Sequence, residues 1–167
     1  MKRKLLFRFV FLVLSIAILI FIFNMSSANA DKSTKVSGKF IEKMAEIFID
    51  DYKNLDVNHK ILFVKSMQHF VRKLAHFSIF FALGFCVNGF VCTFNLSFFR
   101  RILFSSVFCL FYAIIDEIHQ TFVPGRSGQV SDVLLDFTGS VLGIFLMVVS
   151  FNNYIRIRRK INEARTR

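Results

Sequence analysis

Residues 115–143 read IDEIHQTFVPGRSGQVSDVLLDFTGSVLG. Four acids (Asp116, Glu117, Asp132 and Asp136), with His119, Gln120 and Arg126, fall within 21 residues, and apolar runs flank them on both sides. Those runs are long enough to lie in a bilayer, where charge beside hydrocarbon costs about 2.5–3.5 kcal/mol per group on insertion scales. A cluster so placed is expected to have partners, water or a function.

The remainder of the chain points to the membrane as well. Of 167 residues 54% are hydrophobic, 24 are Phe, and there is one Pro and no Trp. A soluble domain of this size would lack the polar surface to cover such a load. The net charge of +11 is concentrated rather than spread. Lys2, Arg3, Lys4 and Arg8 precede the first apolar run, Arg100 and Arg101 divide the middle, and six Lys/Arg follow Phe151. This is a positive-inside pattern, and it argues against nucleic acid as the partner of a basic chain.

About 20 residues cross about 30 Å of hydrocarbon at 1.5 Å per residue. Four spans meet that length, over residues 5–23, 74–94, 102–121 and 132–152. The third is unusual: 14 uncharged residues separate Arg101 from Asp116. That is about 21 Å of helix, so Asp116 and Glu117 should sit below the outer membrane edge or in a water-filled notch. The basic clusters place the N terminus, the loop between spans two and three, and the C terminus in the cytoplasm. Residues 24–73 carry nine Lys/Arg and six acids, but a segment this long follows the orientation rule weakly.

The expected organisation is an N-terminal anchor (1–30), an external amphipathic segment (31–70), a transmembrane domain (71–152) and a basic cytoplasmic tail (153–167). The start has a rival reading, a secretory signal cleaved near Ala28-Asn29-Ala30. Counted from Leu5, its apolar core is longer than the usual 7–15 residues, which favours a retained anchor. In the external segment Phe40, Ile41, Met44, Ile47 and Phe48 recur at helical spacing, with Lys39, Glu42, Lys43, Glu46 and Asp50 on other faces. This predicts an amphipathic helix, lying on the outer leaflet or packed on the external ends of the spans. A second helical pattern, from Asn58 through Ile61, Leu62, Met67, Phe70 and Val71, runs into span two. Cys86, Cys92 and Cys109 lie inside spans and read as small buried hydrophobes. The fold class is all-α, a polytopic membrane helix bundle of about four transmembrane helices plus an external amphipathic helix.

Three polar groups carry the chemistry. At the outer end of span two, Arg72 and His76 are four apart and share a helix face, with His69 a turn further out. Lys73 beside them is expected to be an interfacial anchor. In span three Asp116, His119 and Gln120 share a face and Glu117 looks sideways, while Pro124-Gly125 makes a tight turn that brings Arg126 back. Adjacent carboxylates suit proton transfer or ligation of a divalent cation. The plain alternative is an ion pair between Arg126 and one acid, stapling spans three and four. In span four Asp132, Asp136, Gly139 and Gly143 draw one stripe, and its glycines allow close helix approach. That packing should bring the aspartates against Asp116, Glu117 and His76.

Together R-K-x-x-H (Arg72, Lys73, His76), D-E-x-x-Q…P-G-R (Asp116, Glu117, Gln120, Pro124, Gly125, Arg126) and D-x-x-x-[DN]-x-x-G-x-x-x-G (Asp132, Asp136, Gly139, Gly143) resemble the VanZ-like family of small bacterial membrane proteins. The likeness covers residues 71–143. It implies reduced susceptibility to teicoplanin-type glycopeptides, and it supplies no settled reaction. Beside it stand three readings of the residues. In the first, an enzyme acts on a lipid-linked envelope intermediate. Arg72 and Arg126, aided by Gln120 and Asp136, would bind it, while His76, Asp116, Glu117 and Asp132 move a proton or hold a divalent cation. In the second, a non-catalytic protein holds a cell-wall precursor or the glycopeptide itself. In the third, the charges form a structural network in a scaffold. No nucleophile elbow, His-rich zinc spacing or Gly-rich phosphate loop favours a particular known reaction.

Overall fold

Backbone surrounded by lipid must satisfy its own hydrogen bonds, and helices do so within one segment. The computed structural model describes residues 2–28 and 30–165, and among these its only regular elements are helices, without a strand. Five α-helices follow in order: α1 (Lys2–Ser26), α2 (Ala30–Phe48), α3 (Val57–Val91), α4 (Phe98–Thr121) and α5 (Val130–Arg165). A single turn of 3-10 helix, Tyr52–Asn54, joins α2 to α3. Four of the helices, all but α2, are long and apolar enough to cross a membrane. Residue 29, within the alternative cleavage pattern, lies outside the described residues, as do residues 1, 166 and 167 of the expected anchor and tail.

The two inner spans are longer than the sequence pattern marked. The span marked from Leu74 belongs to a helix that starts at Val57, as the second helical pattern, running from Asn58 into span two, predicted. Helix α5 likewise runs past residue 152 to Arg165. At 35 and 36 residues they measure about 50 Å, well beyond the hydrocarbon thickness. α3 overhangs one end of the bundle and the basic part of α5 overhangs the other.

α3 and α5 run parallel and form the most intimate pair. A Cβ on Gly139 would lie 2.5 Å from the Phe77 carbonyl oxygen, one on Gly143 2.0 Å from that of Phe81, and one on Gly84 2.1 Å from that of Ser140. The backbones therefore touch, as the glycine stripe predicted, and dispersion between closely set helices replaces the hydrophobic drive that lipid cannot supply. Ser140 Oγ adds a hydrogen bond to the Phe80 carbonyl at 3.2 Å. α1 and α4 run the opposite way against this pair, and Tyr112 of α4 donates to the Leu19 carbonyl of α1 at 2.8 Å. Ile22, Phe80, Leu83, Val87, Cys109, Ala113 and Ile144 form the buried core where the four helices meet. All three cysteines are free and buried. The outer surface is rich in exposed Phe, among them Phe9, Phe21, Phe104, Phe111 and Phe145. Those side chains suit contact with acyl chains.

Helix α2 folds back on the overhang of α3, not flat on the bundle end. Its inward face is Ser37, Gly38, Ile41 and Ala45. Gly38 sits over Val64 and Gln68, and Gln68 donates to the Thr34 carbonyl at 3.2 Å. The expected apolar stripe is thus divided: Ile41 is buried, while Phe40, Ile47 and Phe48 stay exposed. Small residues set the packed face here, since they let two short helices approach.

Candidate functional site

Four elements converge at the end of the bundle that α3 overhangs. They are the last turn of α1, the middle of α3, the last two turns of α4, and the first two turns of α5 with the 122–129 loop before it.

The loop is built by two glycines. Arg126 N donates to the Val123 carbonyl at 3.1 Å across a turn with Pro124 second and Gly125 third, and Gly125 has φ 77°. Proline presets the second position of such a turn, and glycine accepts the positive φ of the third. At Gly128 a Cβ would meet Thr121 Cγ2 at 2.6 Å, so its absence lets the loop lie against α4. Glu117, buried, then accepts the Gln129 backbone N–H at 2.6 Å. Its carboxylate pins the residue from which α5 starts.

Asp116 points inward and is 3% exposed. Its Oδ2 accepts from Ser26 Oγ at 2.9 Å and from Gln120 Nε2 at 3.0 Å. Asp116, expected below the outer membrane edge or in a water-filled notch, is shielded by protein. Asp136, 2% exposed, approaches His76 with Oδ2 at 3.7 Å from Nδ1. Its Oδ1 is buried and has no hydrogen-bond partner among the described residues. His76, Asp116 and Asp136 each present one ligand atom, and these atoms lie within 4.8 Å of one another.

The remaining charges divide differently from expectation. Lys73, read as a surface anchor, pairs with Asp132 at 2.6 Å, both side chains about 30% exposed. Asp132 is thereby held apart from the His76 group. Arg126 returns over the site as the turn predicted, but its Nη2 donates to the Met25 carbonyl at 3.1 Å. Among the described residues no carboxylate lies within 4.0 Å of it, so the staple to an acid is not formed. Its buried Nε has no partner among the described residues either. Burial pulls the Arg126 guanidinium below its usual value and the neighbouring Arg72 adds to this, while Asp116 and Glu117 pull the other way. His119 leaves the group, stacking on Phe23 at 4.7 Å with Ser27 Oγ 3.0 Å from its Nε2. His69 is exposed further out on α3.

The sequence pattern thus brings together His76, Asp116 and Asp136, with Gln120 behind Asp116 and Arg72 within electrostatic range of Arg126. It missed the contribution of α1: Ser26, Ser27 and the Met25 carbonyl. The only available signal was a Ser-Ser pair closing an apolar run. Chemically the site holds two cations, Arg72 and Arg126, with no ion pair among the described residues, and Arg126 is within electrostatic range of a buried His–Asp–Asp group.

A family model described as VanZ/LLP1 matches residues 11–151. The match takes in most of α1 and all of α2 besides the 71–143 stretch that carries the motifs. No curated protein and no solved structure matches the chain.

Proposed function

The chain belongs to the VanZ/LLP1 family, and from that premise we propose that it binds the phosphate or pyrophosphate of a lipid-linked cell-wall intermediate and so lowers susceptibility to teicoplanin-type glycopeptides. The observation that carries this reading is the Arg126 guanidinium. It lies within electrostatic range of Arg72 and, among the described residues, has no carboxylate within 4.0 Å and keeps a buried Nε without a partner. A planar fork with open donors suits a phosphoryl oxygen, and a second guanidinium suits a doubly charged group. His76, Asp116 and Glu117 stand below as the groups within reach for proton transfer. The Lys73–Asp132 pair acts as a brace between α3 and α5.

Orientation follows from charge. Arg8, Arg100 and Arg101 gather at the opposite end of the bundle, beside the basic overhang of α5, and the positive-inside rule assigns that end to the cytoplasm. The site then opens outward, where lipid-linked wall intermediates are used.

The test is the teicoplanin concentration that stops growth of a sensitive host expressing the chain, with variants at matched membrane abundance. The parent should protect, Arg72→Ala and Arg126→Ala should lose protection, and Arg126→Lys should keep only part of it. A parent without effect sinks the glycopeptide reading. A scaffold is the second reading, favoured by the Lys73–Asp132, Glu117–Gln129 and Arg126–Met25 ties between separate elements. It predicts that Arg126→Ala protects as well as the parent. Analysis of lipid intermediates in protected cells separates catalysis, which leaves an altered product, from binding.

A further inference from the structure

We propose that His76, Asp116 and Asp136 form a three-ligand site for one first-row divalent cation of the Zn²⁺ or Mn²⁺ class, inside the bundle and separate from the guanidinium pair. The group differs from the cation ligands that the sequence alone would select. Glu117 is turned to the Gln129 N–H and Asp132 to Lys73, so neither is free to join. Asp136, far apart from the Asp-Glu pair in sequence, takes their place.

Three observations converge. The three side chains come from three helices, yet their ligand atoms lie within 4.8 Å of one another. Both aspartates are almost fully buried, and among the described residues no Lys or Arg lies within 4.0 Å of either. Asp116 takes neutral donors from Ser26 and Gln120, and Arg126, within electrostatic range, forms no ion pair with it, so the two buried carboxylates share one histidine, an arrangement that a divalent cation neutralises. Independently, Asp136 Oδ1 is buried without a hydrogen-bond partner, and a buried carboxylate oxygen normally has one. A cation supplies what no protein donor does.

The donor set indicates the class. One imidazole and two carboxylates suit Zn²⁺, Mn²⁺ or Fe²⁺, whereas Mg²⁺ and Ca²⁺ prefer oxygen alone. Tetrahedral bonds of about 2.0–2.1 Å place ligand atoms roughly 3.3 Å apart, so binding draws the three side chains inward by small rotations. Asp116 is already oriented from behind by Ser26 and Gln120, both donating to Oδ2. Such outer hydrogen bonds fix the direction of a metal ligand. Three protein ligands leave at least one coordination position open for water or a ligand oxygen.

The experiment uses the full chain in detergent micelles, stripped with chelator, titrated with ZnCl₂, desalted and assayed for bound zinc. The parent should retain about one ion per chain, as a single three-ligand site does. His76→Ala and Asp136→Asn should each abolish retention. Gln120→Ala should weaken zinc binding by about tenfold, the low end for losing a group behind a ligand. Asp132→Asn should bind as the parent does. A folded parent that retains no zinc, checked with MnCl₂ by electron paramagnetic resonance, overturns the proposal. So does equal retention by His76→Ala, which is the deciding variant if Asp136→Asn fails to fold. The inference does not rest on phosphate binding: Arg126→Ala should lose protection and keep its zinc, so the two readings fail separately.

Discussion

The two ends of the bundle handle buried charge in opposite ways. At the basic end Arg8 and Arg101 are both engaged by the protein. Arg8 donates to Thr93 Oγ1 at 3.1 Å and to the Thr93 carbonyl at 3.0 Å, with its guanidinium 4.4 Å from the Phe94 ring centroid. Arg101 donates to the Leu96 carbonyl at 2.9 Å and lies 5.4 Å from the Phe151 ring. Asn88, fully buried nearby, binds Ser105 Oγ at 3.1 Å. At the other end Arg126 Nε and Asp136 Oδ1 are buried without partners among the described residues. Donors at the first end close the α3–α4 connection. At the second, capacity is left over, and unsatisfied capacity held in place by satisfied neighbours is what a binding site requires.

That contrast can be broken most severely from the middle. Gly143→Leu forces a side chain into the Phe81 carbonyl and parts α3 from α5, on which both ends depend. It should cost at least about 3 kcal/mol, the top of the range for overpacking, and be read as lost thermal stability in detergent. Next comes Glu117→Ala, which frees the Gln129 N–H and the start of α5. A loss of about 1.5–3 kcal/mol is expected for a hydrogen bond to a charged group, seen as a lower melting temperature and faster amide exchange in the 122–129 loop.

A pair of arginine variants sharpens the comparison. Arg8→Ala removes two hydrogen bonds and a ring contact, so about 1–3 kcal/mol of stability should go, with protection unchanged at matched abundance. Arg126→Ala removes one hydrogen bond to a carbonyl and should cost only about 1 kcal/mol, yet abolish protection. If both lose stability and protection together, the two ends are not different in kind. The smallest effect is expected at the exposed pair: Asp132→Asn should shift stability by about 0–1 kcal/mol, because solvent screens a bridge with both partners about 30% exposed.

Much of this was legible in residue order. Apolar run length fixed the four spans, Gly139 and Gly143 announced the α3–α5 contact, and Pro124-Gly125 announced the turn. Helical spacing predicted that His76, Asp116 and Asp136 would be brought to one depth. These are local properties, in which a few neighbours along the chain impose the period, the turn or the close approach.

Partner choice was decided elsewhere. Which acid Lys73 takes, whether Arg126 meets a carboxylate or the Met25 carbonyl, and whether Glu117 turns to a cation or to Gln129 depend on how whole helices rotate and slide against one another. A shift of one residue in that register would exchange every pairing without altering a helical pattern. The same holds for α2, whose largest apolar residues marked a face that the packing did not use. The sequence by itself determined the helices, their number and the depth at which charge would gather. Only the tertiary structure decided which charges are spent on one another and which remain open, because that division depends on distances of a few ångströms between residues 12 to 101 positions apart on different elements, and helical periodicity carries no information about those distances.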